Sequence, residues 1–99
     1  MDTLGRKIVT DDAGRVGFHC PGCGIRHIVP TAKSAAQRWY FNNDGNKPTI
    51  TPAIVWATDH TYCHSMVSDG EIIFNSACHH DLAGDTVELP DITALETAA

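Results

Sequence analysis

Cys20-Pro21-Gly22-Cys23-Gly24 separates two strand-like segments, Arg15–His19 and Ile25–Val29. Proline and glycine favour a tight turn here, so the two segments are predicted to form a hairpin. Two thiolates three residues apart on such a turn can face one ion, and Gly24 can supply the positive φ that this geometry needs. The continuing strand disfavours a redox pair, since redox CxxC motifs begin a helix. The motif therefore predicts a zinc knuckle.

Length and charge narrow the class of protein. The 99 residues predict a single zinc-stabilised domain, 1–99, because a core this small benefits from a structural metal. Seven Lys and Arg against twelve Asp and Glu give a net charge of −5, which disfavours nucleic-acid binding by phosphate neutralisation. With no apolar run of membrane-spanning length and no export signal, the expected location is the cytoplasm, where clustered Cys and His indicate metal ligands rather than disulfides.

The remaining chain predicts a mainly β fold of small α+β type, with zinc-ribbon-like antiparallel hairpins and one short helix. Thr31 can cap that helix, which is expected to run to Arg38. Residues 91–99 are expected to form a weak helix or a frayed tail. Residues 1–13, where Ile8 and Val9 are the only adjacent apolar pair, are expected to form a short strand or an ordered arm. Further strands are predicted at Trp39–Phe41, Ile54–Ala57, Tyr62–Val67, Glu71–Asn75 and Val87–Leu89.

The second half of the metal site is expected where the hairpin of Tyr62–Val67 and Glu71–Asn75 opens. Its register decides the first ligand, because a slip of one residue reverses every side chain. A two-residue turn places Cys63 on the face of Ile72 and Phe74, whereas a three-residue turn places His64 there. Both alternatives remain open, and His80, with Cys78 as the alternative, is expected to supply the other ligand. The predicted metal-site residues are thus Cys20, Cys23, Cys63, His64, Cys78 and His80.

Other histidines and both tryptophans have simpler interpretations. A single histidine in a strand or loop is more often a structural or surface residue than a ligand, which is the expectation for His19, His27 and His60. Trp39 and Trp56 are expected in the core. The stretch between them, with its Asn42–Asn46 turn, is nevertheless the candidate surface for a protein partner.

Motifs spread over Phe18 to Pro90 resemble a family of small phage and prophage proteins that often carry the label "ammonia monooxygenase". The resemblance implies a metal-binding phage accessory protein in the cytoplasm of a bacterial host cell, with no established activity. This chain has Ala53 where a serine is usual, Met66 where an aromatic residue is common and His79 where threonine is usual. The matching segments are 18–24 with His27 and Trp39, Pro48-Thr49 with Pro52, Cys63-His64-Ser65, Asp69-Gly70 with Ile72, Cys78-x-His80-x-Leu82-Ala83-Gly84, and Thr86-Val87-x-Leu89-Pro90.

These observations favour a non-enzymatic protein with one structural Zn²⁺ that acts by binding a host or phage protein, for example by inhibiting a host defence complex. The first alternative is a zinc-dependent hydrolase, but neither an HExxH motif nor a deaminase signature is present. The second is a nucleic-acid-binding zinc ribbon, which the thinly spread basic residues disfavour.

Overall fold

The computed structural model describes residues 2–92, which form two antiparallel sheets. The first sheet has the order β1-β2-β3-β4, and each strand follows its neighbour along the chain. Alternating apolar residues and glycine-containing turns favour this simple meander. Its strands are β1 (Asp2–Leu4), β2 (Ile8–Thr10), β3 (Arg15–His19) and β4 (Arg26–Pro30).

The second sheet is also a meander, with the order β5-β6-β7-β8-β9. Its long central hairpin has the two-residue turn, because Val67 pairs with Ile72 and Ser68 with Glu71. Asp69 and Gly70 occupy the turn with φ of 50° and 83°, conformations that aspartate tolerates and glycine favours. The strands are β5 (Tyr40–Phe41), β6 (Ile50–Ala57), β7 (Tyr62–Ser68), β8 (Glu71–Phe74) and β9 (Thr86–Glu88).

Both sheets contribute to one apolar core. Ile8 and Phe18 of the first sheet and Ile50 and Ile72 of the second are fully buried, as is Leu89. Inward and outward residues alternate along β8, as expected of a sheet with one solvated face. The mainly β class and antiparallel hairpins predicted from sequence are confirmed.

The predicted helix from Thr31 to Arg38 is wrong. The segment forms turns and bends, and Trp39 N–H donates to the Pro30 carbonyl at 2.8 Å, which closes it as a loop. Thr31 N–H and Ala32 N–H both donate to the Gly14 carbonyl, at 2.9 and 3.1 Å. These tertiary bonds prevail because a segment this short gains too few helical hydrogen bonds to offset nucleation.

The C-terminal end of the described chain is fastened to the first sheet through Lys7. Its buried ammonium group donates to the Leu89 carbonyl and forms ion pairs with Glu88 and Asp91, both at 3.2 Å. The expected weak helix or frayed tail, 91–99, lies outside the described residues from 93 onward.

Candidate metal centre and the sheet face beside it

The knuckle between β3 and β4 is held by its own backbone. Cys20 N–H donates to the Ile25 carbonyl at 2.8 Å, and Gly24 N–H donates to the Cys20 carbonyl at 2.8 Å. Cys23 N–H points at the Cys20 sulfur at 3.4 Å, and Gly24 has a φ of +74°. The turn therefore presents both sulfurs on one side and stabilises negative charge on Cys20.

β7 brings the third sulfur to this knuckle. The two-residue turn places Cys63 on the buried face with Ile72 and Phe74, and its side chain is almost fully buried. The Cys63 sulfur lies 3.9 Å from the Cys20 sulfur. Two thiolates that share a tetrahedral zinc at about 2.3 Å lie roughly 3.8 Å apart, so this spacing suits a shared ion.

His27 completes a compact set of four donors. One ligand atom from each of Cys20, Cys23, His27 and Cys63 lies within 4.8 Å of the other three, a spacing compatible with a bound metal ion. His27 is buried, packs against Phe18 and Trp56, and has no hydrogen-bond partner for its Nε2. A buried nitrogen without a partner is costly unless it serves as a ligand or hydrogen-bonding group.

Burial also sets the protonation of these donors. It lowers the pKa of the His27 imidazole, so a neutral ring with a free lone pair is favoured. Burial raises the pKa of the Cys23 thiol to about 11 and raises the pKa of the Cys63 thiol strongly. The adjacent sulfurs would repel one another as thiolates, so the charged forms need a cation between them.

His80 lies beside this set. Its Nδ1 accepts a hydrogen bond from Leu82 N–H at 3.2 Å, which places the proton of a neutral ring on Nε2. That Nε2 lies 3.6 Å from the Cys63 sulfur, so the ring can donate to a thiolate there. Phe74 packs edge-on against the imidazole with ring centroids 4.5 Å apart. His80 thus supports a sulfur ligand through a hydrogen bond.

Cys78 has a different environment. One ligand atom from each of Cys63, Cys78 and His80 also lies within 4.8 Å of the other two. The Cys78 sulfur accepts from His64 N–H at 3.2 Å and can donate to the His64 carbonyl at 3.3 Å. Donation to a carbonyl requires a protonated thiol, so these bonds suit a structural thiol better than a thiolate ligand.

Of the six predicted metal-site residues, the structure brings Cys20, Cys23 and Cys63 together, with His80 and Cys78 next to Cys63. His64 faces the other side of β7, where its Nδ1 lies 3.1 Å from the Tyr62 hydroxyl. His27 was expected to be structural. Residue spacing carries no signal for it, because the burial of His27 on the inward face of β4 is evident only in the fold.

The face of the second sheet that carries His64 has a shallow pocket. Its volume is about 180 Å³, and it is lined by Ala53, His64, Ser65, Met66, Ile73, Phe74 and Asn75. Val55 pairs with His64, so these two residues share a face of the sheet. Ala53 lies where the register of β6 shifts, between Ile50 and Ile54, and it lines the same pocket as His64. The pocket and the four-donor set therefore lie on opposite faces of β7.

Residues 2–75 match the family model described as the serine protease of a bacterial ubiquitination-like system, BubE. The chain belongs to the BubE family. No curated protein and no solved structure matches it. Within residues 2–92, no helix has the length and apolar character to cross a membrane. The cytoplasmic location, and the resemblance to phage and prophage proteins, remain predictions.

The family description directs attention to the serines of this BubE member, which are Ser34, Ser65, Ser68 and Ser76. Ser65 lies in β7 next to His64, but its hydroxyl is buried and has no hydrogen-bond partner. Among residues 2–92, no serine hydroxyl forms a hydrogen bond with a histidine ring. The described chain therefore lacks the serine–histidine contact typical of a serine protease.

Proposed function

We propose that this BubE member is a zinc-stabilised protein that binds another protein of the ubiquitination-like system and does not hydrolyse peptide bonds. The observation that carries the proposal is the pocket beside His64, where the neighbouring strand has Ala53 and the hydroxyl of the lining residue Ser65 is buried without a hydrogen bond. Phage origin and inhibition of a host defence complex, both expected from sequence, stay predictions that this proposal does not need.

The donor set supports zinc as the structural ion. Three cysteine sulfurs and one imidazole form one of the common tetrahedral zinc sites. Four protein ligands close the coordination sphere, which leaves no position for the water of a zinc hydrolase. The ion would join the β3–β4 knuckle to β7 and so connect the two sheets. This role explains a metal in so small a domain without catalysis.

Strand geometry supports the proposed lack of hydrolysis. Ser65 pairs with Ile54, which is buried, whereas His64 pairs with Val55, which is exposed. Adjacent residues of a strand point to opposite faces, so the Ser65 hydroxyl and the His64 ring cannot meet without breaking the ladder. A serine nucleophile needs a base within hydrogen-bond reach. The residue of β6 that lines the pocket with His64 is Ala53, which has no hydroxyl.

The test combines metal analysis with a covalent probe. Purified protein should contain about one zinc per chain, as a single four-ligand site implies. A fluorophosphonate probe for activated serines should leave the protein unlabelled, and Ser65→Ala should behave like the parent. Labelling of the parent that Ser65→Ala abolishes, or a folded protein that binds no metal, would contradict the proposal.

A serine hydrolase is the second candidate, because the family description names that activity. His64 supplies one favourable feature, since its Nδ1 contacts the Tyr62 hydroxyl and leaves Nε2 available as a base. Ala53→Ser distinguishes the two functions. If the proposal is right, a hydroxyl is the group that is missing beside His64. The probe should then label Ala53→Ser and should not label Ala53→Ser/His64→Ala.

A further inference from the structure

Two strand edges lie open beside each other in this fold. Among the described strands, β4 is the last of the first sheet, so none of them pairs with its outer edge. β5 is only two residues long and pairs with Ile50 and Thr51 of β6, which leaves the following part of β6 uncovered on that side. Open edges of this kind can accept an additional strand.

The backbone groups on both edges point outward. The backbone N–H of His64 donates to the Cys78 sulfur, and its carbonyl accepts from Asn75 N–H. Both groups therefore point away from β6, so the pairing of Val55 with His64 uses neither backbone group of Val55. The amide and carbonyl of Val55 therefore face the open side of β6. On β4, the Pro30 carbonyl points outward to Trp39, and alternation directs the Ile28 backbone the same way.

A groove of about 320 Å³ separates the two edges. Trp39 closes one end, because its N–H donates to the Pro30 carbonyl at 2.8 Å and its indole Nε1 donates to the Ala53 carbonyl at 3.3 Å. Ile28 and Val55 line the groove and are 41% and 56% exposed. The groove thus offers unpaired backbone groups and small apolar surfaces, which are what an extended peptide recognises.

The charge around the groove is opposite to that of the whole protein. Arg26 lines the groove, and Lys33 and Arg38 line an adjoining cavity of about 620 Å³ that shares Trp39. Across residues 2–92, no aspartate or glutamate lines either cavity. Lys33 and Arg38 thus lie beside Trp39 in a cavity whose described lining has no acidic side chain, in a protein of net charge −5. This arrangement favours an anionic ligand near Trp39.

We propose that the groove binds the extended C-terminal segment of a partner protein as an added β-strand. The segment pairs with the outward backbone of Val55, and its terminal carboxylate lies toward Lys33 and Arg38. The inference rests on the proposed function only in taking the partner to be a protein chain. It requires neither hydrolysis nor a particular metal.

The experiment uses a library of fluorescent octapeptides with random sequence and free C-termini. Enriched peptides should lose at least tenfold in affinity for Val55→Pro, which removes the outward amide without removing a bond to β7. Val55→Ala is the matched control and should stay within about threefold, because it keeps that amide. C-terminal amidation, or Lys33→Ala/Arg38→Ala, should weaken binding about tenfold, while Lys47→Ala should have no effect.

Zinc content and probe labelling of each variant separate this inference from the proposed function, since neither should change. Failure to enrich any peptide would overturn the groove proposal, as would equal binding by Val55→Pro and Val55→Ala. If Val55→Pro does not fold, Ile28→Pro removes the outward amide of β4 and the charge variants still test the carboxylate. Binding that prefers an internal acidic residue over a free C-terminus would also overturn it.

Discussion

The substitution Gly22→Ala tests whether His80 supports the metal ligand Cys63. A Cβ atom added at Gly22 would lie 2.6 Å from the His80 Nδ1 and closer still to its Cε1 and Nε2. Gly22 does not have a positive φ, so alanine adds a clash there without backbone strain. The imidazole must move away, which breaks its contacts with the Cys63 sulfur and with Leu82 N–H.

The expected cost comes from those two contacts. A hydrogen bond to a charged sulfur contributes about 1.5–3 kcal/mol, and the neutral bond from Leu82 N–H contributes about 1 kcal/mol. Relaxation of the His80 ring recovers part of this, so Gly22→Ala should destabilise the zinc form by about 2–3 kcal/mol. Loss of the hydrogen bond to Cys63 should also weaken zinc binding roughly 10–100-fold, as is usual for a group that supports a ligand.

Gly24→Ala is the matched control. Its Cβ would meet nothing within 4 Å, but its φ of +74° imposes strain of roughly 1–2 kcal/mol. Thermal unfolding and zinc competition with a chromophoric chelator should show that Gly22→Ala weakens zinc binding and Gly24→Ala does not. Gly22→Ala/His80→Ala should resemble His80→Ala alone, because both remove the same contacts. Additive effects of the two changes, or equal zinc affinity in both glycine variants, would refute this reasoning.

Three further predictions concern the ion, the buried lysine and one turn. Cys63→Ser should lose its zinc and unfold, since structural zinc contributes about 10–16 kcal/mol in small domains; a chelator should do the same to the parent, as circular dichroism would show. Lys7→Met should lower the free energy of unfolding by about 1–3 kcal/mol, because the Leu89 carbonyl loses its buried donor, with Lys47→Met as the surface control in urea titrations. Hydrogen bonds from backbone N–H groups lower the pKa of Asp44, so its ionised carboxylate stabilises the fold above the usual carboxylate pKa. This contribution disappears as the pH falls through the lowered value. Asp44→Asn should therefore flatten that part of the plot of unfolding free energy against pH.

Local chemistry made most of the fold predictable. Proline and glycine fixed the knuckle, and the alternation of apolar residues located the strands of the central hairpin. The two-residue and three-residue turns suited Asp69-Gly70 equally well, so the sequence left the register open. Packing decided it, because the observed register buries Cys63, Ser65 and Val67 on one face.

The errors and omissions arose from tertiary contacts. Thr31–Arg38 has the composition of a helix, but hydrogen bonds to Gly14 and Pro30 hold it as a loop, and no local pattern reveals such distant partners. His27 resembled an ordinary strand histidine until the second sheet placed Cys63 beside it. A fourth donor that becomes evident only when two sheets meet is beyond what residue spacing can show.

The alternation of β7 explains how metal binding and a protease-like surface can be independent in this BubE member. Cys63 points inward to the knuckle and His64 points outward to the pocket beside Ala53, although the two residues are adjacent. A change at position 53 therefore alters the outer face without disturbing the four donors. A chain without a hydroxyl at position 53 would lack a serine nucleophile beside His64, while the zinc-stabilised sheets and the groove beside Val55 would be unchanged. Under the two proposals above, this chain binds an extended segment that it does not cut.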